Sequence, residues 1–383
     1  MSNVEIFWKS IKSSRAYSCL ECGKCTACCP VSRYNGVFSP RRVVAETIEG
    51  GGEGLISNAA LWECLTCGMC EERCPMDVHF SEFMRSLRTV ALDRGFSSVP
   101  SHGGVLQSLM RMMVSPTMKQ DRMWWVTEDL EIESRGEILY FVGCLPYFDG
   151  LFAPDFKFKP TDIAQATVRI LNAAGIQPVV DPNERCCGHD LLWSGDEKNF
   201  KMLAEQNVAA IRETGASVVV TACAECASTL RDVYPAYVGA PGFEVKHLAE
   251  LVTERSGDLS FKEAAASVTF QDPCRLSRHM GLKDAPRQAL DLVPGLTRVE
   301  MLHSGSNAMC CGTSAWMSCD QTSKRIQGDR LAEAEDTGAD TLVTACPKCQ
   351  IHFRCALSDG QTSGQPQMDI QDLSVFLASC LQR

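Results

Sequence analysis

Cysteine is the residue type that could do chemistry in this chain: 22 of 383 residues, most of them in C-x-x-C units and adjacent pairs. Two stretches organise the rest, Glu184-Arg185-Cys186-Cys187-Gly188 and Met309-Cys310-Cys311-Gly312. Each sits in the same frame. Upstream lies one cysteine closing a strand-like run, Cys144 after Ile138-Leu139-Tyr140-Phe141-Val142-Gly143 and Cys274 after Val268-Thr269-Phe270-Gln271-Asp272-Pro273. Downstream lies a C-x-x-C after another apolar run, Cys223-Ala224-Glu225-Cys226 and Cys346-Pro347-Lys348-Cys349. Two registered sets of five cysteines mark an internal duplication in which each half gathers five thiolates. Neighbouring side chains diverge on an extended backbone, so a Cys-Cys pair serves one metal assembly only if the assembly is large or the turn tight. Gly188 and Gly312 permit that turn by tolerating positive φ. Five thiolates exceed the four that a zinc ion or a cubane takes, which points to a larger or irregular cluster. Thiol–disulfide exchange at each C-x-x-C is the alternative, and it leaves three cysteines of each set without a task.

Nearer the N-terminus, Cys19, Cys22, Cys25 and Cys29 before Pro30 read C-x2-C-x2-C-x3-C-P, and Cys64, Cys67, Cys70 and Cys74 before Pro75 read the same way. This is the two-cluster ferredoxin run, in which the fourth cysteine of each run ligates the other cluster. The spacing therefore assigns Cys19, Cys22, Cys25 and Cys74 to one cubane 4Fe–4S cluster, and Cys64, Cys67, Cys70 and Cys29 to a second. A pair of structural zinc sites is the competing reading, but zinc knuckles do not call for two C-P-terminated runs. Cys28 is an extra thiol that a one-residue register slip would exchange for Cys29.

The elements that position these thiols follow from pattern and punctuation. Ser39-Pro40 starts a helix, and 57–65 and 81–94 also read as helices. The glycine-rich 50–54 reads as a turn without phosphate-binding potential, because no strand precedes it. Residues 96–136 form a Met-rich connector (Met110, Met112, Met113, Met118, Met123, with Trp124 and Trp125), which reads as inter-domain packing, with partner docking as the alternative. Beyond it, strands at 176–180, 216–221, 297–302 and 339–344 alternate with helices at 162–174, 196–214, 286–292 and 323–337. That alternation predicts a parallel sheet in each half, with the thiols at the carboxyl ends of strands. The expected fold class is α+β multidomain: a helical two-cluster ferredoxin domain (1–95), a linker (96–136) and two duplicated α/β cysteine-rich CCG domains (137–258 and 259–383).

Composition narrows the function. A net charge of −10 argues against nucleic-acid binding. No run of eighteen apolar residues exists, so direct membrane insertion is not expected. Met1-Ser2-Asn3-Val4-Glu5-Ile6 lacks the basic-then-apolar order of a secretory leader. Grouped cysteines without an export signal fit a reducing, cytoplasmic location. No C-x-x-C is followed by His, which excludes covalent haem attachment, and no G-x-G-x-x-G follows a strand, so electrons must arrive from another protein.

The double frame C…C-C-G…C-x-x-C behind a two-cluster ferredoxin run resembles the heterodisulfide reductase family, in the form that fuses the ferredoxin and cysteine-rich subunits. The likeness spans nearly the whole chain and rests on eighteen cysteines. It implies two noncubane 4Fe–4S clusters, one held by Cys144, Cys186, Cys187, Cys223 and Cys226 and the other by Cys274, Cys310, Cys311, Cys346 and Cys349. Related subunits of glycolate, lactate and glycerol-3-phosphate dehydrogenases often carry degenerate sets; both sets are complete here. The resemblance implies an oxidoreductase subunit in which two cubanes pass electrons to two noncubane clusters that reduce a disulfide. His189 and His279, each close to a cluster cysteine, are candidate proton donors for the thiol products, with a structural role as the alternative. Arg185, Arg275 and Lys348 are candidates for holding anionic substrate groups, with solvated charge as the alternative. Cys319 is a candidate for lining the second site, whereas Cys355 and Cys380 read as core or surface thiols. The expected donor is a flavoprotein subunit of the same complex, with a hydrogenase, a formate dehydrogenase or a membrane cytochrome as other sources. The alternative function is an electron-transfer subunit of a larger anaerobic complex, such as an aromatic acyl-CoA reductase, or of an organic-acid dehydrogenase feeding a quinone, without disulfide chemistry of its own.

Overall fold

The computed structural model describes residues 3–50, 53–58, 60–156, 158–359 and 368–382. The chain divides into two compact units. One comprises Met1–Met112, Gly188–Phe200 and Met309–Asp329; the other comprises Met113–Cys187, Lys201–Ala308 and Arg330–Arg383.

The first unit is helical. Helix Phe80–Asp93 buries Phe80, Phe83, Met84, Leu87, Val90 and Ala91, the i, i+3, i+4, i+7 stripe of a core-facing helix. It packs on helix Asn3–Ser13, whose Phe7 and Ile11 are buried. Each such side chain contributes roughly 1.5–3 kcal/mol on burial. Arg88 lies wholly inside this core. Its guanidinium donates to the carbonyls of Leu61 (3.0 Å), Cys64 (2.6 Å) and Trp193 (2.8 Å), so a buried cation satisfies three chain segments at once. The helix begun at Pro40 runs to Gly50. The expected turn at 50–54 includes residues 51 and 52, which lie outside the described residues. The helix expected over 57–65 is only Ala60–Glu63. The Asn58 side chain caps Ala60 N at 2.9 Å, and from Cys64 the chain peels into the cysteine loop, where Thr66 takes φ 46°.

The second unit holds every strand among the described residues. β1 (Ile138–Tyr140), β2 (Val218–Thr221) and β3 (Glu244–His247) form one parallel sheet in that order. β4 (Ser267–Gln271), β5 (Thr297–Arg298), β6 (Thr341–Thr344) and β7 (Asp369–Asp372) form a second, ordered β5-β4-β6-β7 and also parallel. Central β2 and β6 are largely β-branched, and each is buried after its first residue, as a sheet covered on both faces requires. The mixed architecture agrees with the predicted class. The strand expected at 176–180 is reduced to Val179, bridged to Leu139 and Glu133, and that at 297–302 to two residues. β3 and β7 carry no clear sequence signal, because each is four residues long with charge on its outward face (Glu244, Lys246; Asp369).

The two halves interlock through helices. Thr161–Ala173 packs on Leu373–Cys380, Leu145–Phe156 on Pro347–Ser358, and Leu248–Glu254 on Ala285–Asp291. Each pair joins one copy of the duplication to the other.

Candidate metal centres

In the first unit the two ferredoxin runs fold alike. Glu21 and Thr66 are left-handed (φ 51° and 46°), as are Gly23 and Gly68 (φ 79° and 76°). Short helices Lys24–Cys28 and Met69–Glu72 follow those glycines. Left-handed non-glycine residues cost on the order of 1–3 kcal/mol each and persist where the surroundings impose them. Cys29, Cys64, Cys67 and Cys70 line one pocket, walled by Val31, Phe38, Leu65 and Phe80. These are the four thiols that the crossed ligand rule groups together. Cys29, not Cys28, lines this cavity; Cys28 Sγ instead donates to the carbonyls of Cys25 (3.5 Å) and Met69 (3.6 Å). Burial pushes the Cys29 thiol up to about 12 and the Cys64 thiol up to about 11, so without a bound cation these sulfurs stay protonated. The other four thiols lie nearer solvent: Cys22 is exposed and Cys19, Cys25 and Cys74 are half-buried. Backbone N–H groups of Glu21, Thr66 and Val78 point at the sulfurs of Cys19 (3.4 Å), Cys64 (3.3 Å) and Cys74 (3.4 Å), the donors that a ligating thiolate accepts.

In the second unit the first set of five converges beyond the carboxyl ends of β1 and β2. Cys144 and Cys186 lie 3.3 Å apart, and Cys187 and Cys226 lie 3.5 Å apart. Gly143 (φ 69°) admits this crowding, because a Cβ there would stand 3.0 Å from Cys226 Sγ. Hydrogen bonds from Cys226 and then Cys346 bring Cys223 down to about 5. That contact reaches across the duplication. Cys144 and Cys187 are driven up, first by their bonds to Cys186 and then by burial.

The Cys-Cys loop is held by residues that no local motif announces. Glu184 accepts from the N–H groups of Val142 and Gly143, both at 2.8 Å. Arg122 donates to Gly143 O (2.6 Å), Glu184 O (2.9 Å) and Glu184 Oε1 (3.2 Å). The clamp thus ties the loop before Cys144 to the loop before Cys186. Burial drives the Glu184 carboxyl up to about 7. Asn207 donates to Cys186 O (2.9 Å) and the Tyr234 hydroxyl to Cys187 O (3.0 Å). Arg185 is not solvated. Its guanidinium donates to the carbonyls of Met113, Ser115 (2.7 Å) and Met118 (3.1 Å). The stretch 113–122 of the connector is therefore the cradle of this loop.

The second set is divided between the units. Cys274, Cys346 and Cys349 follow β4 and β6 in the second unit, while Cys310 and Cys311 lie buried in the first. Gly312 has φ 87°, and a Cβ there would stand 2.8 Å from Ser323 O, so the glycine is obligatory. Ala315, Trp316 and Ser318 after it are all left-handed (φ 50°, 53° and 52°). Gln107 holds the carbonyls of Ala315 (3.0 Å) and Trp316 (3.1 Å). Cys319 is exposed.

Lys348 and Glu225, the third residues of the two C-x-x-C units, form a buried ion pair at 2.6 Å. His189 is buried in the first unit, with Nδ1 2.8 Å from Asp190 Oδ1. In the second unit the Arg275 guanidinium donates to His279 Nε2 at 2.7 Å, and Arg275 itself is buried.

Residues 15–78 match the family model described as a 4Fe-4S dicluster domain, and residues 138–231 and 268–354 match the cysteine-rich CCG domain. One component of the dihydromethanophenazine:CoB–CoM heterodisulfide reductase from Methanosarcina acetivorans is 30% identical over 312 residues, covering 78% of this chain and 73% of that protein. The chain belongs to the heterodisulfide reductase family. One component of the fumarate reductase (CoM/CoB) from Methanothermobacter marburgensis is 28% identical over 373 residues, 93% of this chain and 71% of that protein. A solved structure of a hypothetical protein from Helicobacter pylori has a TM-score of 0.56 at 10% identity, covering 90% of this chain and 66% of that one; it shares the fold. Like its relatives, this family member is an oxidoreductase subunit, an iron–sulfur electron-transfer protein. No helix among the described residues is long and apolar enough to cross a membrane. The donor set fits iron–sulfur ligation: crowded, buried thiols, none in a disulfide, with N–H donors aimed at sulfur.

Proposed function

We propose that this chain is the electron-delivering iron–sulfur subunit of a disulfide-reducing complex. Cys19, Cys22, Cys25 and Cys74 would hold one cubane 4Fe–4S cluster, and Cys29, Cys64, Cys67 and Cys70 the second. Cys144, Cys186, Cys187, Cys223 and Cys226 would hold a noncubane 4Fe–4S cluster, and Cys274, Cys310, Cys311, Cys346 and Cys349 another. When bound, the clusters supply one-electron chemistry and iron able to take sulfur. The reaction is a disulfide plus two electrons and two protons giving two thiols. The observation that carries the reading is the convergence of the first five thiols beyond β1 and β2, with Cys144 and Cys186 3.3 Å apart and Cys187 and Cys226 3.5 Å apart, and with Cys223 also bonded to Cys346 of the second C-x-x-C. The chain's own residues then have defined tasks. The Arg122–Glu184 clamp orients Cys144 and Cys186, the Glu225–Lys348 pair holds the C-x-x-C loops together, and His189 and His279 deliver protons to the product thiolates. The domain limits follow the same reading, with the ferredoxin domain at 1–95 and the cysteine-rich domains at 137–258 and 259–383. Electrons come from a flavoprotein subunit in the cytoplasm.

A relay role for a separate reductase is the second reading, favoured by the 93% coverage in the match to a fumarate reductase component. Anaerobic turnover decides between them. Consumption of a mixed thiol disulfide by the isolated chain with a reduced viologen supports disulfide reduction. Full reduction of the protein with no disulfide consumed supports the relay.

A further inference from the structure

One loop of the first unit brings an exposed thiol, exposed apolar side chains and basic residues together. Of the two ferredoxin thiol sets, one has Cys29, Cys64 and Cys67 buried and Cys70 half-buried, while the other has Cys22 exposed and no buried member. Large apolar side chains stand in solvent around that exposed loop. Tyr17 and Leu20 flank Cys19 and are 61% and 65% exposed, and Val37 is 69% exposed. Monomers rarely leave such residues grouped without a partner.

Charge indicates which partner. The chain as a whole carries −10, yet residues 9 to 42 contain Lys9, Lys12, Arg15, Lys24, Arg33, Arg41 and Arg42 against one carboxylate, Glu21; Arg15 pairs with Asp77 (2.6 Å) and Arg33 with Asp329 (3.5 Å), which leaves Lys24, Arg41 and Arg42 as the charge nearest the thiol loop. Contacts gather part of this charge at the thiol loop. Arg41 lies 3.9 Å from Glu21, inside the Cys19–Cys22 loop. Arg42 donates to Val37 O at 3.4 Å. Lys24 begins the helix after Gly23 and is exposed. Basic and exposed apolar side chains beside one loop of an acidic protein select an acidic surface and speed its arrival.

We propose that Tyr17, Leu20, Lys24, Val37, Arg41 and Arg42 form the docking face for an acidic electron-carrier protein. The inference rests on the reading that Cys19, Cys22, Cys25 and Cys74 hold a cluster. Each docking event passes one electron, so the carrier is oxidised by one equivalent and the chain reduced by one, with no bond made or broken. An anionic membrane would meet the same charge, but the exposed ligand loop at the centre of the face calls for a redox partner.

The test uses the iron-loaded full chain and an acidic flavodoxin as probe, with binding read by biolayer interferometry. The expected Kd weakens about tenfold between about 0.05 and about 0.3 M salt, and by a similar factor in Lys24→Glu/Arg41→Glu/Arg42→Glu, while the iron content of the variant is unchanged. Leu20→Ser, which alters no charge, weakens binding and keeps the salt slope. Flavodoxin binding that ignores both salt and the variants overturns the docking face and leaves the cluster reading intact. Binding of the chain to vesicles with a third anionic lipid, but not to flavodoxin, also overturns it. A wild-type chain whose Cys19→Ser/Cys22→Ser variant has the same iron content overturns the cluster reading beneath it.

Discussion

Arg122 and Glu184 are each 5% exposed and satisfy one another. Removing one partner leaves the other charge buried and uncompensated, which costs on the order of 3–5 kcal/mol. Arg122→Ala is therefore expected to loosen the loops before Cys144 and Cys186 and to lower iron content by one cluster equivalent. The spectrum of the ferredoxin set should stay unchanged, and iron analysis beside visible absorbance checks both. The Glu225–Lys348 pair makes a second prediction. Lys348→Met alone and Glu225→Gln alone should each destabilise, and the double variant should cost less than their sum, with a coupling of about 1–3 kcal/mol. A double-mutant cycle of denaturant melts reads that number, and strict additivity would show that the pair does not act as one. Both pairs link residues far apart in the chain, so no spacing could have revealed them; Glu184 stands in plain view only as the residue before Arg185. Sequence alone makes Lys348 a candidate for substrate binding or a solvated charge, and its burial against Glu225 is a tertiary fact.

The edge strands show a matching device at the scale of elements. β3 leads into helix Leu248–Glu254, capped by His247, whose ring accepts from Ala249 N at 3.1 Å. β7 leads into helix Leu373–Cys380, capped by Asp372, whose carboxylate accepts from Ser374 N at 2.9 Å. Both caps are buried, and burial moves them oppositely, His247 down to about 4 and Asp372 up to about 7. For Asp372 the folded value lies above the unfolded one. Its contribution is full below the unfolded carboxyl range and is lost as pH rises toward 7. For His247 the folded value lies below the unfolded one. Its contribution is present above the unfolded histidine range and is lost as pH falls toward 4. Asp372→Asn should thus make stability rise more, or fall less, with pH than in the parent, and His247→Asn the reverse. Thermal melts of the two variants from about pH 5.5 to about pH 8 check the opposed signs. These strands are hard to read from sequence because short edge strands with polar outward residues lack an apolar run. β2 and β6 are legible because buried parallel strands are short runs rich in β-branched and aliphatic residues. The turn at Gly312 is legible too, and Gly312→Ala should destabilise by more than about 1 kcal/mol because both φ and the Ser323 carbonyl oppose a Cβ.

For the whole molecule, the duplication is what the cysteine spacing displays most openly, and the interlocking of its halves is what spacing cannot display. Helix pairs such as Thr161–Ala173 with Leu373–Cys380 join residues from opposite copies, so neither half packs alone. The connector likewise changes meaning. Its methionine content predicts packing, and Met110, Met113 and Trp125 are buried; polar contacts from Gln120 and Arg122 to the loop before Cys186 are added to it. The proposed function requires that four cluster sites, two of them five-thiol, coexist on this chain. Anaerobic iron and acid-labile sulfide analysis joined to EPR tests it most directly. Four loaded sites give about sixteen irons and as many sulfides per chain, together with a signal distinct from reduced cubanes when a thiol substrate meets the oxidised protein. About eight irons, with cubane signals alone, would contradict it and leave a ferredoxin module joined to a thiol-rich scaffold.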